Sequence, residues 1–291
     1  MTPELDATYA GRKLAARIAT ALSYAAVAVA LVPLLAILIY VAQRGLGALS
    51  VSFFTALPKP VGEHGGGMAN AIVGTLELVG LASSMGIPIG IAGGLFLAET
   101  RGTMLARVIR FSADVLAGVP SIIVGVVVYA TVVVRMHHFS TFAGAASLAV
   151  LMLPLVSRST MEVLALVPDS LREAALGVGA PRWRMTLGVV LPQTIGGVLT
   201  GATLAVARVA GETAPLLFTS SLATPGTHLD PSQPLATVPL AIYQLTDSYQ
   251  ESDHALAWAG ALVLILFILV VSLTARWLAT RSRRKIAQAS R

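Results

Sequence analysis

Residues 167–192 read "VPDSLREAALGVGAPRWRMTLGVVLP", and their reading decides the fold because they are a patterned loop between apolar runs. Local rules divide the stretch into two short helices. Ser170 is placed to cap the first, and Glu173, three residues on, to reach back and complete a capping box. Leu171, Ala174, Ala175 and Val178 then share one face at helical spacing. Gly179 is positioned to stop this helix, and Pro181 to sit in the first turn of the next. A small helix that presents alanines is suited to a groove on a partner, since small side chains permit close docking.

Outward from this loop the chain is apolar. It has 291 residues, 56% hydrophobic and 12% charged, with a mean hydropathy of +0.80. A soluble protein carries about a quarter charged residues. The excess lies in six runs: Ala19–Val41, Asn70–Ala98, Phe111–Val134, Thr141–Leu164, Thr194–Ser221 and Ala255–Thr280. Each reaches the roughly 20 residues that span hydrocarbon as a helix. Barrel-type alternation is absent and lipid satisfies no open backbone, so the expectation is an all-α integral membrane protein with six transmembrane helices. "SSMGIPIG" in the second run predicts a kink or break near Gly86–Pro88, and Pro120 in "GVPS" predicts another kink.

Lys and Arg set the orientation. Sixteen lie on one side: Arg12, Lys13 and Arg17, then Arg101, Arg107 and Arg110, then Arg158, Arg172, Arg182 and Arg184, and six in the tail "RWLATRSRRKIAQASR". Arg44, Lys59 and Arg135 lie on the other, and Arg208 within a span. The bias predicts cytoplasmic N- and C-termini. The pI of 10.1 is thus mainly topology, with a weak attraction of the tail to anionic membrane lipids, and no nucleic acid is expected. The loop 222–254 has no Lys or Arg but holds Asp230, Asp247, Glu251 and Asp253, and is expected outside. The first apolar run is too long for a signal-peptide core and reads as a retained helix.

Other site classes find little support. There is no cysteine, which excludes disulfides and thiolate metal sites. The "GGG" at 65–67 lacks the Gly-Lys-Ser/Thr ending of a nucleotide-binding loop. His137 and His138 are adjacent rather than one helical turn apart, so no metal site is expected. No nucleophile–base pair stands at convincing spacing in the spans.

Charges inside the spans carry the functional question. Gly197, Gly201, Ala205, Arg208, Glu212 and Pro215 recur at steps of three and four along the fifth run. Small residues favour close helix approach, and intramembrane charges face a protein interior or a water-filled path. Arg208 and Glu212 are spaced to pair as helical neighbours, while Pro215 would loosen the helix beside them. Two roles stand open. The pair either locks helices together, or Arg208 offers transient positive charge to a passing anion while Glu212 keeps the site weak. We favour the second. Glu77, on a second-span face with Asn70, Gly74, Leu81 and Ser84, is either another partner for Arg208 or a residue near the outer surface. Glu99 and Asp114 read as interface charges near the cytoplasmic ends.

"EAALGVGAPRWRMTLGVVLP" resembles the cytoplasmic EAA loop of ABC importer permeases, with Glu173, Ala174, Ala175, Gly179, Leu191 and Pro192 in the family's places. Val189 stands where that pattern usually has isoleucine. "GVPSIIVG" at 118–125 and "RVAGETAPLLFTS" at 208–220 resemble the Pst-type phosphate importer permeases, the A-type subunit over the C-type. The likeness runs from about Gly66 to Arg281. It implies a type I ABC importer (MetI-like) permease fold with a cytoplasmic coupling helix. The implied layout is a cytoplasmic arm 1–18, a first transmembrane helix 19–41, a transmembrane domain 66–281 holding the coupling loop 167–192, and a basic tail 282–291. It also implies a bacterial inner-membrane heterodimer with a C-type permease, an ATPase homodimer and an extracytoplasmic phosphate-binding protein. No cofactor is expected on this chain; ATP and Mg would sit on the ATPase, which Glu173, Ala174, Ala175 and Gly179 would couple to the spans. Permeases for sulfate, molybdate or tungstate stand as the neighbouring reading, and a channel or membrane scaffold as the more distant one.

Overall fold

The computed structural model describes residues 3–59, 65–100, 102–220, 226–227 and 229–289. Arg101, Ser221 and the last two residues of the basic tail, all part of the sequence reading, lie outside the described residues. Among the described residues every regular element is helical. In chain order the main helices are α1 (Pro3–Gly45), α2 (Ala69–Glu99), α3 (Met104–Gly118), α4 (Ser121–Met136) and α5 (Thr141–Leu164). They continue with α6 (Asp169–Gly177), α7 (Arg182–Val209), α8 (Val238–Thr246) and α9 (Glu251–Ala289). Of these, α1, α2, α5, α7 and α9 are long and apolar enough to cross a membrane, and α3 with α4 makes a sixth, bent crossing.

Local chemistry sets several boundaries. Thr103 caps α3 by accepting from the Ala106 amide at 3.2 Å, and Ser140 caps α5 by accepting from Ala143 at 3.1 Å. The third run, expected as one span over Phe111–Val134, is two helices bent by 105° across Val119 and Pro120. Proline has no amide hydrogen and holds the residue before it extended, so the first helix cannot continue through this point. The second run behaves in the opposite way. Of the kink or break expected near Gly86–Pro88, the break does not form: the run remains one helix from Ala69 to Glu99 with Pro88 inside.

Packing explains that continuity. On α2, Gly86, Gly90 and Gly94 lie against Met152, Val156 and Thr160 of α5. A Cβ added at Gly90 would stand 2.7 Å from the Val156 Cβ, closer than real contacts permit. Between helices in lipid the attraction is close contact rather than water release, and small residues create it. The α5 contact on both sides of Pro88 holds α2 together.

The apolar window of α5 is 61% buried, against 6% for α1, so α5 is the central helix and α1 the peripheral one. Leu148 and Met152 of α5 join Leu78, Leu216 and Leu240 in the main core. At the end remote from 167–192, Phe53, Met68, Val238 and Ala259 form a second cluster. There the Thr75 hydroxyl accepts a hydrogen bond from the Val238 amide at 2.8 Å, tying α8 to α2.

Candidate translocation site and coupling helix

The fifth run, expected as a span over Thr194–Ser221, is displaced along the sequence. Its helix, α7, starts at Arg182 and ends at Val209. The second short helix expected in the loop is therefore the first part of this span. The passage over Pro192 is made by a π-turn at Thr186–Val190, whose wider ring spares the proline a clash with the carbonyl four residues back. At the other end, Pro215 would clash with the Gly211 carbonyl in a continued helix, and glycine itself disfavours continuation. The chain instead turns, with Glu212 donating its amide to the Val209 carbonyl at 3.1 Å, and Pro215 precedes a short helix Leu216–Thr219.

This break changes the Arg208–Glu212 reading. Arg208 occupies the last turn of α7, and Glu212 lies past its end, so the spacing of helical neighbours does not apply. The ion pairs among the described residues include none joining Arg208 to Glu212 or Glu77. Pro215 likewise stands outside the helix it was expected to loosen. It is buried, and its backbone packs on Gly125 of α4 so closely that a Cβ there would meet the Pro215 Cα at 2.6 Å.

Arg208 and Glu212 meet instead across a cavity of about 280 Å³. Its floor is the bend itself, Leu116 to Ser121 with Pro120, and Leu151, Pro154 and Leu155 of α5 close one side. Arg208 is exposed and Glu212 half-buried. One guanidinium and one carboxylate thus face a mostly apolar hollow. A charge beside so weakly polar a wall is screened less than in open water. Glu77 is half-buried on α2 and does not line this cavity. Nearer the end that carries residues 167–192, Arg158 pairs with Glu162 at 3.0 Å and approaches Asp114 at 3.6 Å. These three, with Arg110 and Met161, line a second cavity of about 260 Å³.

The loop helix α6 begins two residues earlier than expected, at Asp169 rather than Leu171. It follows Pro168, Asp169 is in its first turn, and no side chain caps it. Ser170 is consequently inside the helix, and the capping box with Glu173 is not formed. The Asp169 carboxylate favours the positive helix start, which leaves the serine cap unnecessary. Gly179 takes a left-handed φ of 83°, donates to Leu176 at 2.9 Å, and Ala180 donates to Ala175 at 3.2 Å. This crossed pair satisfies the terminal carbonyls in the usual glycine stop.

The face of α6 also divides. Leu171 and Ala175 pack inward on Ala98, Leu164, Val167 and Met185, whereas Glu173, Ala174 and Val178 are exposed. The four residues expected on one face are therefore two pairs, one seating the helix and one left free. Arg172, read from sequence only as a topological charge, joins Glu99 and the Leu164 carbonyl.

Residues 90–284 match the family model described as binding-protein-dependent transport system inner membrane component. A phosphate transport system permease protein PstA of Yersinia pestis is 44% identical over 268 residues, 92% of this chain and 90% of its own. The chain belongs to this family of inner membrane permeases, among its PstA-type members. A PstA of Pasteurella multocida is 41% identical over 266 residues, covering 91% of this chain and 94% of its own. A probable PstA of Methanocaldococcus jannaschii is 34% identical over 248 residues, 85% of this chain and 88% of its own. In fold, the permease resembles an inward-facing MetNI methionine ABC transporter with a TM-score of 0.63. That likeness is 18% identical and covers 74% of this chain and 95% of the other.

The permease is thus a multi-pass membrane protein and a transport component rather than an enzyme. Its sequence brought out Arg208 with Glu212 as a pair and Pro120 apart from them as a kink, and the fold places all three at one cavity. The Arg158–Glu162 pair was readable from its four-residue spacing. The Arg172–Glu99 pair joins residues 73 apart, and no local signal marks it.

Proposed function

We propose that the chain is one of two permease subunits through which an ATP-driven importer moves inorganic phosphate across the plasma membrane. The observation that carries this reading is the near-full-length similarity to PstA permeases, 44% identity over 92% of the chain. The cavity between Arg208 and Glu212 gives the reading a physical site, since it offers one positive charge to a tetrahedral oxyanion without enclosing it in donors. A C-type permease completes the passage, and an extracytoplasmic binding protein delivers the phosphate. ATP and Mg²⁺ belong to an ATPase homodimer that receives the exposed face of α6. Both termini and α6 are cytoplasmic in this arrangement.

Closure of the ATPase moves α6, and α6 is seated on the ends of α2, α5 and α7. Because α7 is continuous to Val209, displacement at Arg182 is carried along one rod to Arg208. Sulfate, molybdate or tungstate is the less favoured cargo, given the PstA relatives. The test is ATP hydrolysis by the reconstituted importer with its binding protein and either phosphate or sulfate. Stimulation by phosphate alone supports the reading; stimulation by sulfate alone overturns the choice of ion, and no stimulation by either overturns the assignment to an ABC importer.

A further inference from the structure

We infer that Arg172 is the positioning residue that fastens the coupling helix to two membrane helices at once, so that movement of α6 reaches α2 and α5 together. This rests on the proposed function, because the movement originates in the ATPase. The Arg172 side chain is only 12% exposed, in a helix whose neighbouring residues Glu173 and Ala174 are open. Its Nη1 donates to Glu99 Oε1, at the last residue of α2. Its Nη2 donates to the carbonyl of Leu164, the last residue of α5, at 2.9 Å. Nε faces the Asp169 carboxylate of its own helix at 3.8 Å.

The chemistry fits a fastening. A guanidinium is a planar fork that meets several acceptors in fixed directions, which an ammonium cannot reproduce. The Leu164 carbonyl lies in the last turn of α5, where it also accepts from the Val167 amide at 3.3 Å and where a cation is favoured by the helix dipole. Beneath the fork, Leu171 and Ala175 rest on Ala98 and Leu164, an apolar seat that carries load but does not fix direction. The fork supplies the direction. It also points away from the exposed Glu173–Ala174 face, so docking and fastening use different sides of one helix.

The test is ATP-driven phosphate uptake by the complete importer in proteoliposomes, with phosphate moved and ATP hydrolysed measured in the same sample. Glu99→Gln removes one charge and keeps the shape, while Arg172→Lys keeps the charge and loses the fork. Both variants should assemble with the ATPase and hydrolyse ATP, yet move roughly five- to tenfold less phosphate per ATP, an ordinary coupling effect. Wild-type phosphate per ATP in both variants overturns the inference. Loss of assembly in both overturns it too, since the contact would then serve only folding. A wild-type complex that hydrolyses ATP and moves no phosphate overturns the proposed function instead.

Discussion

Arg208 is a guanidinium in the last turn of a membrane-crossing helix, a costly position that calls for a task. Its cavity includes Glu212, but the two form no ion pair, so removing Arg208 does not orphan a buried partner. Arg208→Gln should therefore assemble normally and lose phosphate transport by roughly ten- to a hundredfold, the worth of a hydrogen bond to a charged group. The double variant Arg208→Gln with Glu212→Gln should stay inactive; restored uptake would show that the two only balanced each other. The sequence made Arg208 visible as a charge within an apolar run, on a stripe of small residues at helical steps. Its separation from Glu212 was not visible, because four-residue spacing implies a pair only where the helix continues, and the Gly211–Pro215 turn ends it.

At the scale of elements, the two faces of α6 have different surroundings. Ala174 is exposed on α6 and Ala175 is seated against the membrane ends, so one substitution separates docking from folding. Ala174→Asp should abolish co-purification of the ATPase while membrane levels of the permease stay normal, because the carboxylate would be desolvated without a partner. Normal co-purification and uptake would rule out docking by this face. On α2, Gly90→Val should overpack the α5 contact and destabilise the purified protein by about 1–3 kcal/mol, read as a lower unfolding midpoint. An unchanged midpoint would mean that the helices separate freely. Long apolar runs and the glycine at 179 made most of this legible. The kink at Pro120 was legible but not its 105° size, nor was the π-turn, since proline announces a disturbance but tertiary contacts choose between a break, a bulge and an unbroken helix.

At the scale of the whole molecule, the account depends on which way the chain faces and what it carries. Ser232 is exposed in the loop free of Lys and Arg, and the chain has no cysteine of its own. Ser232→Cys should react with an impermeant thiol reagent from outside intact cells; labelling only from the cytoplasmic face would invert the topology. Charge counts predict that orientation, whereas the cargo is readable only from resemblance, because one arginine in a cavity attracts any small oxyanion. Uptake of radiolabelled phosphate by cells lacking this chain, measured beside sulfate, tests the central claim most directly. The account predicts that phosphate uptake falls, returns with the wild-type chain and leaves sulfate uptake untouched; unchanged phosphate uptake with a fall in sulfate would contradict it.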